Sequence, residues 1–316
     1  MRRRGLTLRQ RDAAAAYVLL SPTLVVVLAV IVVPILATIF FAFERLRLVN
    51  LRSTGLITGQ FTLDNFANVL TSSGFVSALE TTIIYSVVGT ALAIGLGLAA
   101  ALAVRHPFRG RTIVRGLMLL PYVAPVVAVT FTWRVMLDPN LGIVNALGAQ
   151  LLGWQTPIPF LTQRTADVSV LGFHFGFPVA LATVLVFQAW RYFPFAFLFI
   201  LARLQAALPE LEEAASVDGA TPSQRFRYVI LPQLSSVIAL LAVLRLIWTF
   251  NEFDDIYLLT GGGAGTEVVS VRTYNLLIGR GDIGGSAAVS LVLAAMLAVL
   301  LFMYFRFFVR RGEEAM

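Results

Sequence analysis

The 316-residue chain is 58% hydrophobic and only 13% charged, against about 25% charged residues in an ordinary soluble domain. A soluble globule has no means of hiding that much apolar surface, so the composition places the chain in a bilayer as an all-α integral membrane protein. The net charge of +7 comes from Arg alone; Lys and Cys do not occur, and His106 and His174 are the only imidazoles, which excludes P-loop and Schiff-base lysines, thiolate metal sites and disulfides.

Crossing a bilayer takes about 20 apolar residues, and six stretches qualify: Ala16–Phe43, Thr81–Val104, Ile113–Leu137, Val179–Leu201, Leu234–Leu258 and Ser286–Phe308. They define a membrane domain over 16–308 between short tails, 1–15 and 309–316, with no soluble domain, internal repeat or low-complexity segment. The first stretch is too long for a cleaved signal, contains Pro22 and Pro34, and runs into Glu44-Arg45 rather than a small-residue cleavage site. Within the second, Ala91, Gly95 and Ala99, and likewise Ala93 and Gly97, recur every four residues. Such spacing either lets a second helix approach closely or marks a lipid-facing surface. Pro121, Pro125, Pro178 and Pro194 are expected to kink or break their helices.

The connections alternate in Arg content. One side carries fifteen: Arg2, Arg3, Arg4, Arg9, Arg11, Arg105, Arg109, Arg111, Arg115, Arg203, Arg225, Arg227, Arg306, Arg310 and Arg311; the other carries seven: Arg45, Arg47, Arg52, Arg134, Arg164, Arg272 and Arg280. The richer side is expected to be cytoplasmic, with both termini on it. Because the arginines sit between apolar blocks, they read as orientation signals rather than as a nucleic-acid surface. Of the outer connections, 44–80 contains Phe61–Phe66, read as the start of a short amphipathic helix. The long segment Asp138–Pro178 is partly polar, and Thr260–Gly285 is glycine-rich. Gly261-Gly262-Gly263-Ala264-Gly265 lacks a following Lys-Ser/Thr and follows a span rather than a strand, so it reads as an outer turn and not a phosphate loop.

The cytoplasmic connection 203–232 has a local grammar. Pro209 suits the first turn of a helix, and Glu210, Glu212 and Glu213 place acid at its positive end. Asp218-Gly219 stops that helix, with Gly219 suited to a left-handed position. Thr221-Pro222-Ser223-Gln224 is an N-cap, a first-turn proline and a capping box. Phe226, Val229 and Ile230 form an apolar face, and Pro232 is read as the break into the fifth span. The result is a helix–turn–helix whose apolar residues have no neighbouring domain to bury them, as expected of an element that docks into a groove on a partner or lies on the membrane surface.

Glu213-Ala214-Ala215, Asp218-Gly219-Ala220, Phe226, Ile230-Leu231-Pro232 and Leu234 resemble the signature loop of permease subunits in binding-protein-dependent ABC importers. The block from Phe250 to Gly263, together with Trp190–Phe195 and Leu204-Gln205, is similar to the sugar-import branch, and the chain resembles the maltose-type first permease rather than its partner, which usually ends in a Gly-Ala-Val-Lys-Gly-like tail where this chain has Arg310-Arg311-Gly312-Glu313-Glu314-Ala315-Met316. Gly263-Ala264-Gly265 departs from that branch, where a Pro often follows the glycines. The resemblance implies a type I importer: a second homologous permease, two copies of a nucleotide-binding ATPase carrying ATP and Mg, and an extracytoplasmic solute-binding protein, all at a bacterial inner membrane. It implies no cofactor on this chain and no hydrolysis by it.

The end of the fifth stretch is unusually polar, with Arg245, Asn251, Glu252, Asp254 and Asp255 near Trp248, Phe250, Phe253 and Tyr257. On a continuous helix Asn251, Asp254 and Asp255 share a face. Two readings stay open: these groups line a solute path or gate, with aromatic rings for sugar faces, or they end the helix and pair with Arg191 or Arg245. A proton-coupled carrier working alone is a competing class, with Glu252, Asp254 and Asp255 as a relay, but no repeated half is visible.

Overall fold

The computed structural model describes residues 8–51, 55, 59–170, 173–206, 209–304 and 306. Arg2, Arg3, Arg4, Arg52, Arg310 and Arg311, the tail 309–316 and the expected end of the sixth span at Phe308 lie outside the described residues. Among those described, five helices are long and apolar enough to cross a bilayer: Ala15–Ala42, Ser73–Ala103, Val179–Ala206, Pro222–Phe250 and Ile283–Tyr304. The stretch expected to be the third span is instead two helices, Arg111–Val123 and Val126–Met136, bent by 94°; counted as one broken crossing, they make the sixth. The break falls at Ala124 and Pro125, both extended, because the Pro125 ring disfavours a helical residue before it.

Elsewhere proline does not interrupt a helix. Pro121 and Pro194 lie inside intact helices, and both are buried. Pro34 and Pro232 each follow a wide π turn, Leu28–Val32 and Phe226–Ile230, in which the N–H of Val33 or Leu231 reaches back five residues to Leu28 O or Phe226 O. Pro232 therefore does not break the chain. The widened turn precedes the ring, and the helix runs unbroken from Pro222 to Phe250. The long outer connection contains a helix, Ile143–Leu152, and an antiparallel pair, Ala166–Val170 with Phe173–Phe177, in register Val168↔Phe175. The expected helical membrane fold is present, with one short β pair among the described residues.

Packing divides the chain into two units. In the first, Met1–Ser72 with Thr273–Ala295, the first span buries none of its apolar window against the described residues. The expected amphipathic helix is present but starts later, as Asp64–Thr71. Asn65 Nδ2 donates to Ala42 O and Glu44 O, both at 2.9 Å, and Asp64 is held by the Arg45 guanidinium.

In the second unit, Ser73–Arg272 with Met296–Met316, the second and fourth spans pack along their length. One apolar cluster joins Ile94, Ala101, Ala196, Phe197, Ile200 and Leu234. Another joins Tyr85, Val129, Val184, Phe187, Ile256 and Val271. The two small-residue series separate here. Ala91, Gly95 and Ala99 are exposed, whereas Ala93 and Gly97 are buried. A Cβ at Gly97 would lie 2.6 Å from Ala196 Cβ and 2.8 Å from Phe197 N, while one at Gly95 would meet nothing within 4 Å. Gly97→Leu is therefore expected to force the helices apart at a cost of about 1–3 kcal/mol and to lower melting temperature in detergent. Gly95→Leu is expected to leave it unchanged, and equal melting of the two variants would refute this packing assignment.

Candidate functional site

The helix–turn–helix takes the expected form. Its first helix is Pro209–Val217. Gly219 sits at φ +81, where a side chain is strained. Gly219 N donates to Ser216 O at 3.2 Å and Ala220 N to Ala215 O at 2.9 Å, which closes the helix end with a Schellman motif. Thr221 then caps the next helix: its N–H donates to Gln224 Oε1 at 2.8 Å, and its hydroxyl accepts from Gln224 N at 3.4 Å. Of the signature residues, Glu213, Ala214 and Asp218 are exposed and Ala215 and Ala220 half-buried. Ile230 is buried, and Phe226 packs against the same apolar cluster; both anchor the hairpin. Pro232 is exposed on the continuous helix. The apolar residues turned outward are Leu211, Val217 and Tyr228, at 48%, 87% and 69% exposure.

At the far end of the same long helix the predicted shared face does not form. The helix stops at Phe250, Asn251 and Phe253 leave helical geometry, and a new helix, Asp254–Thr260, begins. The four polar residues split accordingly. Asn251 and Asp254 are exposed, and the Asn251 amide donates to Ile247 O at 3.1 Å. Asp255 has no accessible side-chain surface and pairs with Arg191. Glu252 accepts from Tyr192 Oη at 3.2 Å and from Asp255 N at 3.4 Å, and Ser270 Oγ donates to Glu252 O.

Arginines stack around Tyr192, with the Arg245 guanidinium 3.9 Å and that of Arg191 5.2 Å from the ring centroid. Gln188 Nε2 donates to Thr249 Oγ1 at 3.4 Å. Two buried or half-buried cations and two carboxylates thus form one braced cluster that holds the helix break. Of the nearby aromatic rings, Phe253 and Tyr257 stack on each other at 4.8 Å, Phe250 is buried, and Trp248 leans on Phe195 at 5.2 Å.

Tyr192 and Gln188 were missed as members of this cluster, since a lone polar residue in an apolar stretch carries no partner information. The ionisable Arg191 and Arg245 inside spans were the legible signal. Arg105, which pairs with Glu212 at 3.0 Å, was also missed. Among the described residues no group of three His, Asp or Glu is placed to hold a metal ion. A cavity of about 700 Å³ lies beside the second helix of the break, lined in part by Arg134, Asp138, Phe160, Thr162, Tyr257 and Thr260.

Residues 93–312 match the family described as binding-protein-dependent transport system inner membrane component. The chain is 36% identical to the inner membrane ABC transporter permease protein YcjO of Escherichia coli (strain K12), over 89% of this chain and 90% of the relative. It is 31% identical to the trehalose/maltose transport system permease protein MalF of Thermococcus litoralis, over 90% of each. Its fold is similar to a chain of a bacterial alginate ABC transporter in complex with an alginate pentasaccharide-bound periplasmic protein, with TM-score 0.73 and 22% identity over 94% of both chains.

Removing one member of the buried ion pair leaves the other without its counter-charge, which costs about 3–5 kcal/mol, whereas replacing both by apolar residues is often near neutral. Asp255→Leu is therefore expected to lower thermal stability in detergent strongly, and Arg191→Met with Asp255→Leu to recover most of the loss. A double variant no more stable than the single one would show that the pair does not brace the break.

Proposed function

The chain belongs to the binding-protein-dependent transport system inner membrane component family, as a permease subunit of an ABC importer, and from that premise we propose how it works and what it carries. It forms a solute route with a second, homologous permease subunit. Two copies of a separate ATPase bind Mg and ATP and supply the energy, and an extracytoplasmic solute-binding protein delivers the cargo. The cargo is a sugar: a disaccharide, an oligosaccharide or a glycerol-phosphate-like solute. The trehalose/maltose permease among its relatives supports that class. Both termini face the cytoplasm, a reading supported by fifteen arginines against seven in the connections. A self-sufficient proton carrier is not favoured by the family match.

The observation that carries the reading is the capped hairpin. Its fold is fixed by its own capping bonds, and its apolar residues Leu211, Val217 and Tyr228 are left 48%, 87% and 69% exposed. Glu213, Ala214, Ala215, Asp218, Gly219 and Ala220 present the docking end to the ATPase. Phe226, Ile230 and Pro232 join it to the fifth span, whose unbroken helix Pro222–Phe250 carries movement rigidly towards the polar break. There Asn251 and Asp254 face the solute, and Glu252 and Asp255 brace the gate. Asp255 Oδ2, Tyr85 Oη and two nitrogens of Arg245 are buried with no hydrogen-bond partner among the described residues, unsatisfied polar capacity of the kind found at functional positions.

A Cβ at Gly219 would meet nothing within 4 Å, so substitution there acts through backbone strain alone, about 1–2 kcal/mol for a residue forced left-handed. Gly219→Val is expected to lower ATPase co-purification and uptake, and Gly219→Asn, whose side chain tolerates that conformation, to retain most of both. Normal co-purification and uptake in Gly219→Val would remove the docking assignment. At the other end, Asn251→Ala and Asp254→Ala are expected to alter uptake affinity while membrane abundance and ATPase assembly stay normal. Uptake that stays unchanged when normalised to abundance would reject the path.

A further inference from the structure

The hairpin's two neighbouring acids point different ways. Glu213 is exposed, whereas Glu212 turns inward to Arg105. Arg105 Nη1 bridges both carboxylate oxygens at 3.0 Å, and the two side chains are only 23% and 27% exposed. Fully exposed pairs of this kind contribute little because solvent screens them and side-chain entropy opposes them. Partial shielding and the charge-assisted contact to both oxygens favour a fixed geometry here.

Arg105 is itself held. It lies just past the end of the second span at Ala103, where the last carbonyls of a helix lack intrahelical partners and carry negative partial charge. Arg111 Nε donates to Val104 O at 2.9 Å, Arg111 Nη2 to Arg105 O at 2.7 Å and Arg115 Nη2 to Val104 O at 3.1 Å. Arg111 and Arg115 belong to the first helix of the bent pair. With its amide oxygen turned towards Arg115, Gln205 near the end of the fourth span accepts at 2.9 and 3.1 Å. One arginine web therefore ties the end of the second span, the start of the bent pair and the end of the fourth span, and its outermost member grips the hairpin.

We propose that Arg105 is a positioning residue for transport. Through Glu212 it makes the 104–111 connection move with the hairpin, so that movement imposed on the hairpin reaches the second span and the bent pair as well as the fifth span. This rests on the reading of the hairpin as the ATPase-docking element. The continuous helix from Pro222 gives the hairpin a covalent route to the fifth span. The Arg105–Glu212 contact is the route by which the second span, which packs on the fourth through Ala93 and Gly97, is driven in step.

The test uses the assembled transporter with MgATP as the only added ligand. Arg105→Glu and Glu212→Arg are each expected to cut ATP turnover at least about fivefold, the lower end of typical coupling between sites, with membrane abundance and ATPase co-purification unchanged. The double variant Arg105→Glu with Glu212→Arg is expected to restore most of the turnover, a rescue that an unpaired structural role would not give. Single reversals with normal turnover, or a double variant no better than the singles, would overturn the proposal. Loss of the ATPase from either single variant would overturn it too, since the carboxylate would then be a docking contact. Failure of the docking reading is distinguishable: Gly219→Val would then keep its ATPase and its turnover whatever the reversals do.

Discussion

Lipid offers no hydrogen bonds, so each backbone and side-chain polar group within the bilayer must find its partner in the protein or face an aqueous route. Most features of this chain answer that demand. Long helices satisfy the backbone internally, and the second span, 31 residues long, extends well beyond the roughly 20 residues a bilayer requires. Where prolines remove a donor, a widened turn precedes Pro34 and Pro232 and the helix continues. Where continuity fails, at Ala124-Pro125 and at Asn251–Phe253, the break lies beside packed aromatic and polar side chains. Tyr122 meets Tyr192 at 6.2 Å beside the first break, and the Arg191, Tyr192, Glu252 and Asp255 cluster holds the second.

Charge is used at both ends of the second unit in the same way, with an arginine bound to a carboxylate distant in sequence. At one end Arg191 meets Asp255 and fixes where the fifth span stops. At the other Arg105 meets Glu212 and fixes where the hairpin lies. Between them runs a single helix from Pro222 to Phe250. A continuous helix with a braced break at one end and a capped hairpin at the other suits the proposed transmission of displacement, because packed elements shift between discrete arrangements rather than deforming continuously.

Close approach of the second and fourth spans keeps this frame together. Gly97 leaves no room for a side chain beside Ala196 and Phe197, so dispersion contacts between backbones replace the hydrophobic drive that lipid removes. Among the described residues the first span presents apolar side chains along its length.

What the sequence determined by itself was local or compositional. Membrane residence followed from composition, and the crossings followed from apolar runs, because lipid selects on average chemistry. The hairpin was legible almost residue by residue, since Thr221 with Gln224 and Gly219 with its helix act within three to five positions. Tertiary structure decided whatever depended on distant partners. The Arg105–Glu212 and Arg191–Asp255 pairs join residues 107 and 64 positions apart, and nothing in either local sequence names the other. The shared face of Asn251, Asp254 and Asp255 was drawn on a helix that ends at Phe250, and the fate of Pro232 depended on a turn that widens before it. Of two identical small-residue spacings, only Ala93 and Gly97 face the fourth span. Periodicity states which residues share a side of a helix, and only packing states what that side meets.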